Sequence, residues 1–448
     1  MKKISRFALA AACAGSVLTF TVPMKDADAA NWLMLQGTER SSAVGRAKVW
    51  GFVQGQMQYD FSDPHTNGKY IPPKLIGPNL TSQKQFNVNR ARIGVRGTGF
   101  PLDSKVNYFL LAEFGNNGIT AADGGAAKMT DASVTFNHIP FARVRAGLFK
   151  TPGAEEGLQA IHVFDYVNFT NVTNQMLLER FVVKDRFGAP LNPQNPDLTG
   201  IAPNGLERGV AAFRDVGVQV FDTISFGKLE LTYAGMVGNG NGLNVGDYGD
   251  QKDVYGYLSA EQVFGGKGGR REGAKVFAWM QQGKRLVDMD AAEGAVRNEY
   301  VDRKRMGAGA KYLKKPFRVT AEYMAGEGMI FVGAHKQNFD MDGITNADGS
   351  GLDGKANGFY ADFGFYIPGT KAEIDLRYDV YNRLVDDAKF EVKYTTTTIG
   401  AQYHLNKKSR VAANYEIRKI ESVNDNAGLV ANFEGVGPRA SVQFTAIY

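Results

Sequence analysis

The feature that most limits what this chain can become is a rhythm of connections. Sixteen strand-like stretches run through 46–61, 86–98, 105–115, 129–138, 141–150, 214–224, 227–237, 252–264, 273–283, 303–313, 317–326, 356–367, 370–382, 394–405, 409–420 and 438–448. Each is about the 9–11 residues a tilted strand needs to cross a bilayer, or somewhat longer. Short turns at 99–104, 139–140, 225–226, 264–272, 314–316, 368–369 and 406–408 take turns with long polar connections, of which 151–213 is the longest. Short turns on one rim and long loops on the other are the anatomy of a membrane-spanning barrel, and a soluble sandwich gives no reason for them. The expected fold is all-β, a 16-stranded antiparallel transmembrane β-barrel over residues 46–448 with a long inward-folded third loop.

Alternation within the strands assigns faces. In Lys105–Gly115 the set Val106, Tyr108, Leu110, Ala112 and Phe114 faces outward. In Lys371–Asn382 the outward set is Ala372, Ile374, Leu376, Tyr378 and Val380, leaving Glu373, Asp375, Arg377 and Asp379 inward. A charge facing lipid costs roughly 2–4 kcal/mol at mid-membrane, so the charged set must line the lumen. The last nine residues, Ala440–Tyr448, alternate strictly and end on an aromatic, as a closing barrel strand does. Strands 1, 9 and 14 alternate poorly and carry no assignment of faces.

The ends and the composition agree. Lys2, Lys3 and Arg6, the apolar run Phe7–Val22 and the small-residue site Ala27-Asp28-Ala29 make residues 1–29 a secretory signal peptide, followed by a short lead over 30–45. An export signal and a barrel together place the protein in the outer membrane of a Gram-negative bacterium, in contact with the lipid bilayer and lipopolysaccharide. The formal charge of +6 falls to about +4 after cleavage, too mild to argue for nucleic acid. The single cysteine, Cys13, lies in the signal, and reading it as a lipid anchor sets Leu9 one place too early. The mature chain then offers no thiol for disulfides, iron–sulfur clusters, cysteine zinc sites or covalent haem.

No catalytic or metal motif emerges. The histidines His65, His138, His162, His335 and His404 lack metal-ligand spacing, and Gly265-Gly266-Lys267-Gly268-Gly269 is a basic turn without Walker spacing. We expect no enzyme, no cofactor and no metal. Asn346-x-Asp348-x-Ser350-Gly351 copies the start of a calcium loop, but Asn357 stands where a bidentate Glu belongs, so a solvated loop is the better reading.

Parity sends Arg90, Arg92 and Arg96 inward on strand 2 and Arg143 and Arg145 inward on strand 5. Arg303, Arg305 and Lys311 on strand 10, Arg318 on strand 11, and Arg410 and Arg418 on strand 15 take the same side. Arginine stays charged and offers a planar fork to oxyanions, so such a lumen favours anions. The competing structural role is pairing with carboxylates such as Glu113, Glu230, Glu322, Asp362 and Asp375. The long loop, with Glu155, Glu156, Asp165, Glu179, Asp185, Asp197 and Glu207 against Arg180, Lys184, Arg186 and Arg208, is acidic. Folded opposite the arginines of strands 2 and 5, it sets an acidic side against a basic one and discriminates weakly by charge.

Several short motifs stand in a telling order: Asn89-Arg90-Ala91-Arg92-Ile93-Gly94-Val95-Arg96-Gly97, Thr130-Asp131-Ala132, Arg145-Ala146-Gly147-Leu148-Phe149-Lys150-Thr151-Pro152, Leu178-Glu179-Arg180, Arg214-Asp215-Val216-Gly217-Val218 and Gly238-Asn239-Gly240-Asn241-Gly242. Over about 86–242 the chain resembles the phosphate-selective porin O and P family; beyond, only the strand rhythm and the C-terminus match. The resemblance implies a sixteen-stranded porin, usually trimeric, whose third loop constricts the pore and whose basic side chains draw anions toward a phosphate site. The matching positions are Arg90, Arg92, Lys150, Arg180 and Arg214. Lys150 shares the outward parity of Leu148 and can serve only if the strand bulges. The expected function is passive diffusion of small hydrophilic solutes with a modest anion preference. The alternative is a structural or docking barrel in which Trp32–Leu35 is a periplasmic docking tail.

Overall fold

A computed structural model of the chain describes residues 31–38, 47–62, 83–99, 102–117, 119–120, 127–178, 213–240, 242–243, 246–247, 250–266, 268–288, 298–328, 330, 354–425, 430 and 435–448. The signal segment, Arg180 and the calcium-like residues 346–353 lie outside the described residues.

Sixteen strands form one closed antiparallel barrel. In chain order they are β1 (Lys48–Asp60), β2 (Lys84–Gly99), β3 (Asp103–Glu113), β4 (Lys128–Phe136), β5 (Arg143–Lys150), β6 (Arg214–Phe226), β7 (Leu229–Gly238) and β8 (Asp253–Gly265). The second half comprises β9 (Glu272–Asp288), β10 (Asn298–Lys314), β11 (Phe317–Glu327), β12 (Lys355–Tyr366), β13 (Ala372–Arg383), β14 (Val392–Asn406), β15 (Ser409–Ser422) and β16 (Arg439–Ile447). Each strand pairs with its neighbours in sequence, and β1 closes on β16 from Phe52↔Ile447 to Asp60↔Arg439, so no sheet edge is left. The expected barrel is the one found, strand for strand. At the short-turn rim Gly227 and Gly369 adopt positive φ (64° and 76°), which a tight turn between antiparallel strands requires.

The outward face is apolar where it should meet lipid: Leu110, Ile374, Leu376 and Ile399 are each about half exposed, while Glu373, Asp375, Arg377 and Asp379 are buried inside. Val380 shares the outward parity of Leu376 but is covered. Exposed aromatics gather toward both rims, with Phe136, Phe141, Phe226, Phe264 and Phe317 at the short turns and Phe61, Phe86, Phe114 and Phe359 toward the long loops. This is the girdle pattern of a membrane barrel. The β9–β10 hairpin runs farther than the apolar pattern, pairing out to Asp288↔Asn298. There the backbone ladder continues past the facing pair Lys284–Asp302 at 3.4 Å.

Two pieces of chain lie inside the barrel. One is the lead, residues 31–38, whose short helix α1 (Trp32–Leu35) is capped by Asn31 accepting from the Met34 N–H. The other is the described beginning of the long loop, residues 151–178. Together with inward wall residues such as Phe221, Tyr257, Phe277, Trp279, Tyr360 and Tyr381 they bury Trp32, Leu33, Met34, Ala154, Leu158, Val172 and Met176 in one apolar cluster. The lead is therefore not an exposed docking tail, because the helix is too apolar to remain in water beside an apolar wall.

Candidate pore lining and its charges

The loop leaves β5 at Lys150, and the Thr151 N–H donates to the Phe213 carbonyl at 2.9 Å where the chain returns to β6. Its first turn, α2 (Glu155–Leu158), presents Glu155 to Lys275 on β9 at 2.5 Å and Lys311 on β10 at 3.1 Å. The Glu155 N–H donates to Glu322 of β11, which also accepts from the Trp279 indole (2.7 Å) and the Tyr360 hydroxyl (2.8 Å). Glu156 meets Arg377 of β13 at 3.3 Å and accepts from the Thr170 hydroxyl at 2.6 Å. Asp165 bridges Arg270, in the turn between β8 and β9, at 2.7 Å and Arg318 at 3.3 Å. The Asn171 N–H and side-chain amide both donate to Asp379. Arg305 donates to the Met176 carbonyl at 3.2 Å. Gly358 makes room for this path: a Cβ there would lie 3.0 Å from Val172 Cγ2.

These contacts fix the ionisation of the loop. Burial alone would raise the Glu155 carboxyl, but Lys275 and Lys311 override it and hold it down at about 2. Asp165 is likewise held below the usual carboxylate range against its burial by Arg270 and Arg318. His162, packed among the rings of Trp50 and Phe52, is pushed down to about 3 by burial and by Arg410, and stays neutral.

The predicted basic side chains take two kinds of partner. Arg92 pairs with Glu113 at 2.7 Å, Arg143 with Asp222 at 3.4 Å, Arg214 with Asp131 at 3.1 Å and Arg303 with Asp253 at 3.5 Å. Arg318 has four carboxylates around it: Asp362, Asp375 at 2.6 Å, Glu373 at 3.1 Å and Asp165. Arg418 pairs with Asp60 at 2.7 Å. Several also donate to neutral oxygen. Arg90 reaches Gln54 Oε1 at 3.1 Å, Arg96 the carbonyls of Leu35 and Thr38, Arg145 the carbonyl of Gln36, and Arg410 the carbonyl of Phe164. Lys150 donates to the Leu158 and Gln159 carbonyls at 3.2 and 2.9 Å. It turns inward without the bulge that parity demands, since β5 keeps unbroken register with β6.

The described loop carboxylates lie on walls across the barrel from the arginines of β2 and β5: Glu155, Glu156 and Asp165 pair with cations of β9, β10, β11, β13 and the β8–β9 turn, partners the sequence alone does not name. The cause is electrostatic: those walls hold the cations Lys275, Lys311, Arg318 and Arg377, of which Lys275 lies on a strand whose poor alternation hides its direction. Arg270 sits in a turn, where parity says nothing, and its signal was only the basic character of that turn. Among described buried side chains, fourteen cations stand against fifteen carboxylates, so that set is nearly neutral and its charge is organised by position. On β2 to β6 the basic set Arg90, Arg92, Arg96, Arg143, Arg145, Lys150 and Arg214 outweighs Glu113, Asp131, Asp215 and Asp222.

Comparison with known proteins places the fold. An anion-selective porin from Comamonas acidovorans superposes with a TM-score of 0.54 at 14% identity, over 90% of this chain and all (100%) of that one. The outer membrane channel DcaP of Acinetobacter baumannii gives 0.52 at 12% identity, covering 92% of this chain and 100% of its own. The fold is that of bacterial outer-membrane porins. OmpT of Vibrio cholerae in its trimer form gives 0.50 at 10% identity, over 90% of this chain and 100% of that chain. No protein-family model matches the sequence, and no curated protein does. Likeness to the phosphate-selective porin O and P family therefore rests on its motifs.

Proposed function

We propose that the protein is a porin of the outer membrane of a Gram-negative bacterium, passing small hydrophilic solutes and ions down their gradients with a modest preference for anions. The observation that carries this reading is the placement of charge. The acidic groups of the described loop are neutralised on the far side of the barrel, which leaves the β2–β6 wall with a basic excess. Fixed positive charge along one wall raises local anion concentration without binding any anion tightly. Arg90, Arg96, Arg143 and Arg145 are the side chains we assign to that wall, and the loop over 151–213 sets the width.

Selective phosphate capture is a weaker expectation than the family resemblance implies. An oxyanion site needs donors in excess, and Arg92, Arg214 and Arg318 already bond carboxylates. Phosphate passes, in this reading, as one anion among others. The outward apolar band and the trimeric form of the OmpT neighbour support a homotrimer surrounded by lipopolysaccharide. The test is the zero-current potential of the purified protein in a planar bilayer under a potassium chloride gradient. We expect an anion-side potential with little block by phosphate; a cation-side potential would overturn the assignment.

A further inference from the structure

Residues 31–38 carry no charged side chain, yet they sit on the arginines of the basic wall. Arg96 donates to the carbonyls of Leu35 at 3.2 Å and Thr38 at 3.0 Å, and Arg145 to that of Gln36. The Gln36 amide donates to Asp131, and the Asn31 amide to the hydroxyls of Thr223 at 3.0 Å and Thr232 at 2.9 Å. Trp32 lies against Gly269 of the β8–β9 turn, where any Cβ would collide with its ring. Gly37, at φ 65°, sets the backbone against Phe109. The seat thus joins three sectors of the wall, β2 to β5, β6 with β7, and the β8–β9 turn, with Arg96, Arg145, Thr223 and Thr232 toward the short-turn rim.

The geometry points to an intramolecular plug: residues 31–38 occupy the lumen at the short-turn side and supply a neutral carbonyl oxygen to Arg145, which an oxyanion would otherwise take. This rests on the porin reading and adds a second occupant to the lumen besides the long loop. A guanidinium binds an ionised oxygen about twice as strongly as a neutral one, so anions compete with the segment for Arg145. What opposes them is the burial of Trp32, Leu33 and Met34.

Crosslinking tests it. Asn31→Cys with Thr232→Cys introduces two cysteines whose native side chains touch, and Cys13 is the only other cysteine in the sequence. We expect the disulfide to form in the folded barrel on mild oxidation, more slowly in high phosphate than in an equal ionic strength of a bulky sulfonate. In bilayers the oxidised form should conduct less, and with weaker anion preference, than the reduced form. A chain lacking residues 31–38, checked for folding by heat-modifiable gel mobility, should conduct most. Failure of the disulfide to form in the folded barrel would show that the segment does not seat there. Equal conductance in all three forms would show that it seats without obstructing, and crosslinking indifferent to phosphate would remove the competition. If no form conducts, the porin reading falls, while the crosslinking result still judges the seat.

Discussion

Glu155→Gln is the substitution that most directly probes how the loop is held. Glu155 is 2% exposed and lies between the ammonium groups of Lys275 and Lys311. Its carboxyl sits at about 2, against an ordinary 4.5. That difference corresponds to ~3 kcal/mol in favour of the ionised group in its docked position. Glutamine keeps the size and one acceptor oxygen but removes the charge, leaving two buried cations facing each other. The docked-to-undocked ratio of the loop should then fall by about two orders of magnitude. Single-channel recordings should show increased open-channel noise and longer wide-open states. Chymotrypsin, for which Phe164 and Tyr166 are buried in the native barrel, should begin to cleave there. A variant as quiet and as protease-resistant as the native protein would refute the view that this ion triad anchors the loop.

Further predictions follow from the same contacts. Glu155 has a depressed carboxyl, so its anchoring is complete above about pH 4.5 and is lost as pH falls toward about 2. Open-channel noise should therefore rise as pH falls from about 4.5 toward about 2, and a channel that stays as quiet at pH 2 as at pH 5 would contradict the Glu155 assignment. Arg318→Met strands four carboxylates in a buried site and should destabilise the barrel by ~3–5 kcal/mol, read as a lower temperature for loss of the folded band on a gel. Leu376→Arg places charge on the lipid face and should cost ~2–4 kcal/mol in urea titrations of the protein in vesicles; a neutral result would misplace that face. Arg90→Gln with Arg143→Gln should reduce the anion preference in the zero-current potential with folding intact, and an unchanged potential would remove these two from the basic wall.

What the sequence determined on its own was everything governed by the bilayer. Lipid imposes a period of two on each strand, a length on each crossing and a difference between the rims, and all three appear as local patterns in one dimension. The sixteen strands, their antiparallel order and the inward direction of Glu373, Asp375, Arg377 and Asp379 were legible for that reason. The lumen answers to no such rule. Whether Arg92 faces water or Glu113, whether Glu155 looks at β2 or at Lys275, and whether Trp32 hangs outside or packs on Phe277 and Trp279 depend on pairs far apart in sequence. Parity names a face but not a partner, and a turn residue such as Arg270 has no parity to read. Only the closed tertiary structure brings the far walls, the loop and the lead within a few ångströms of one another, and burial together with unlike charge then decides which partner each side chain takes.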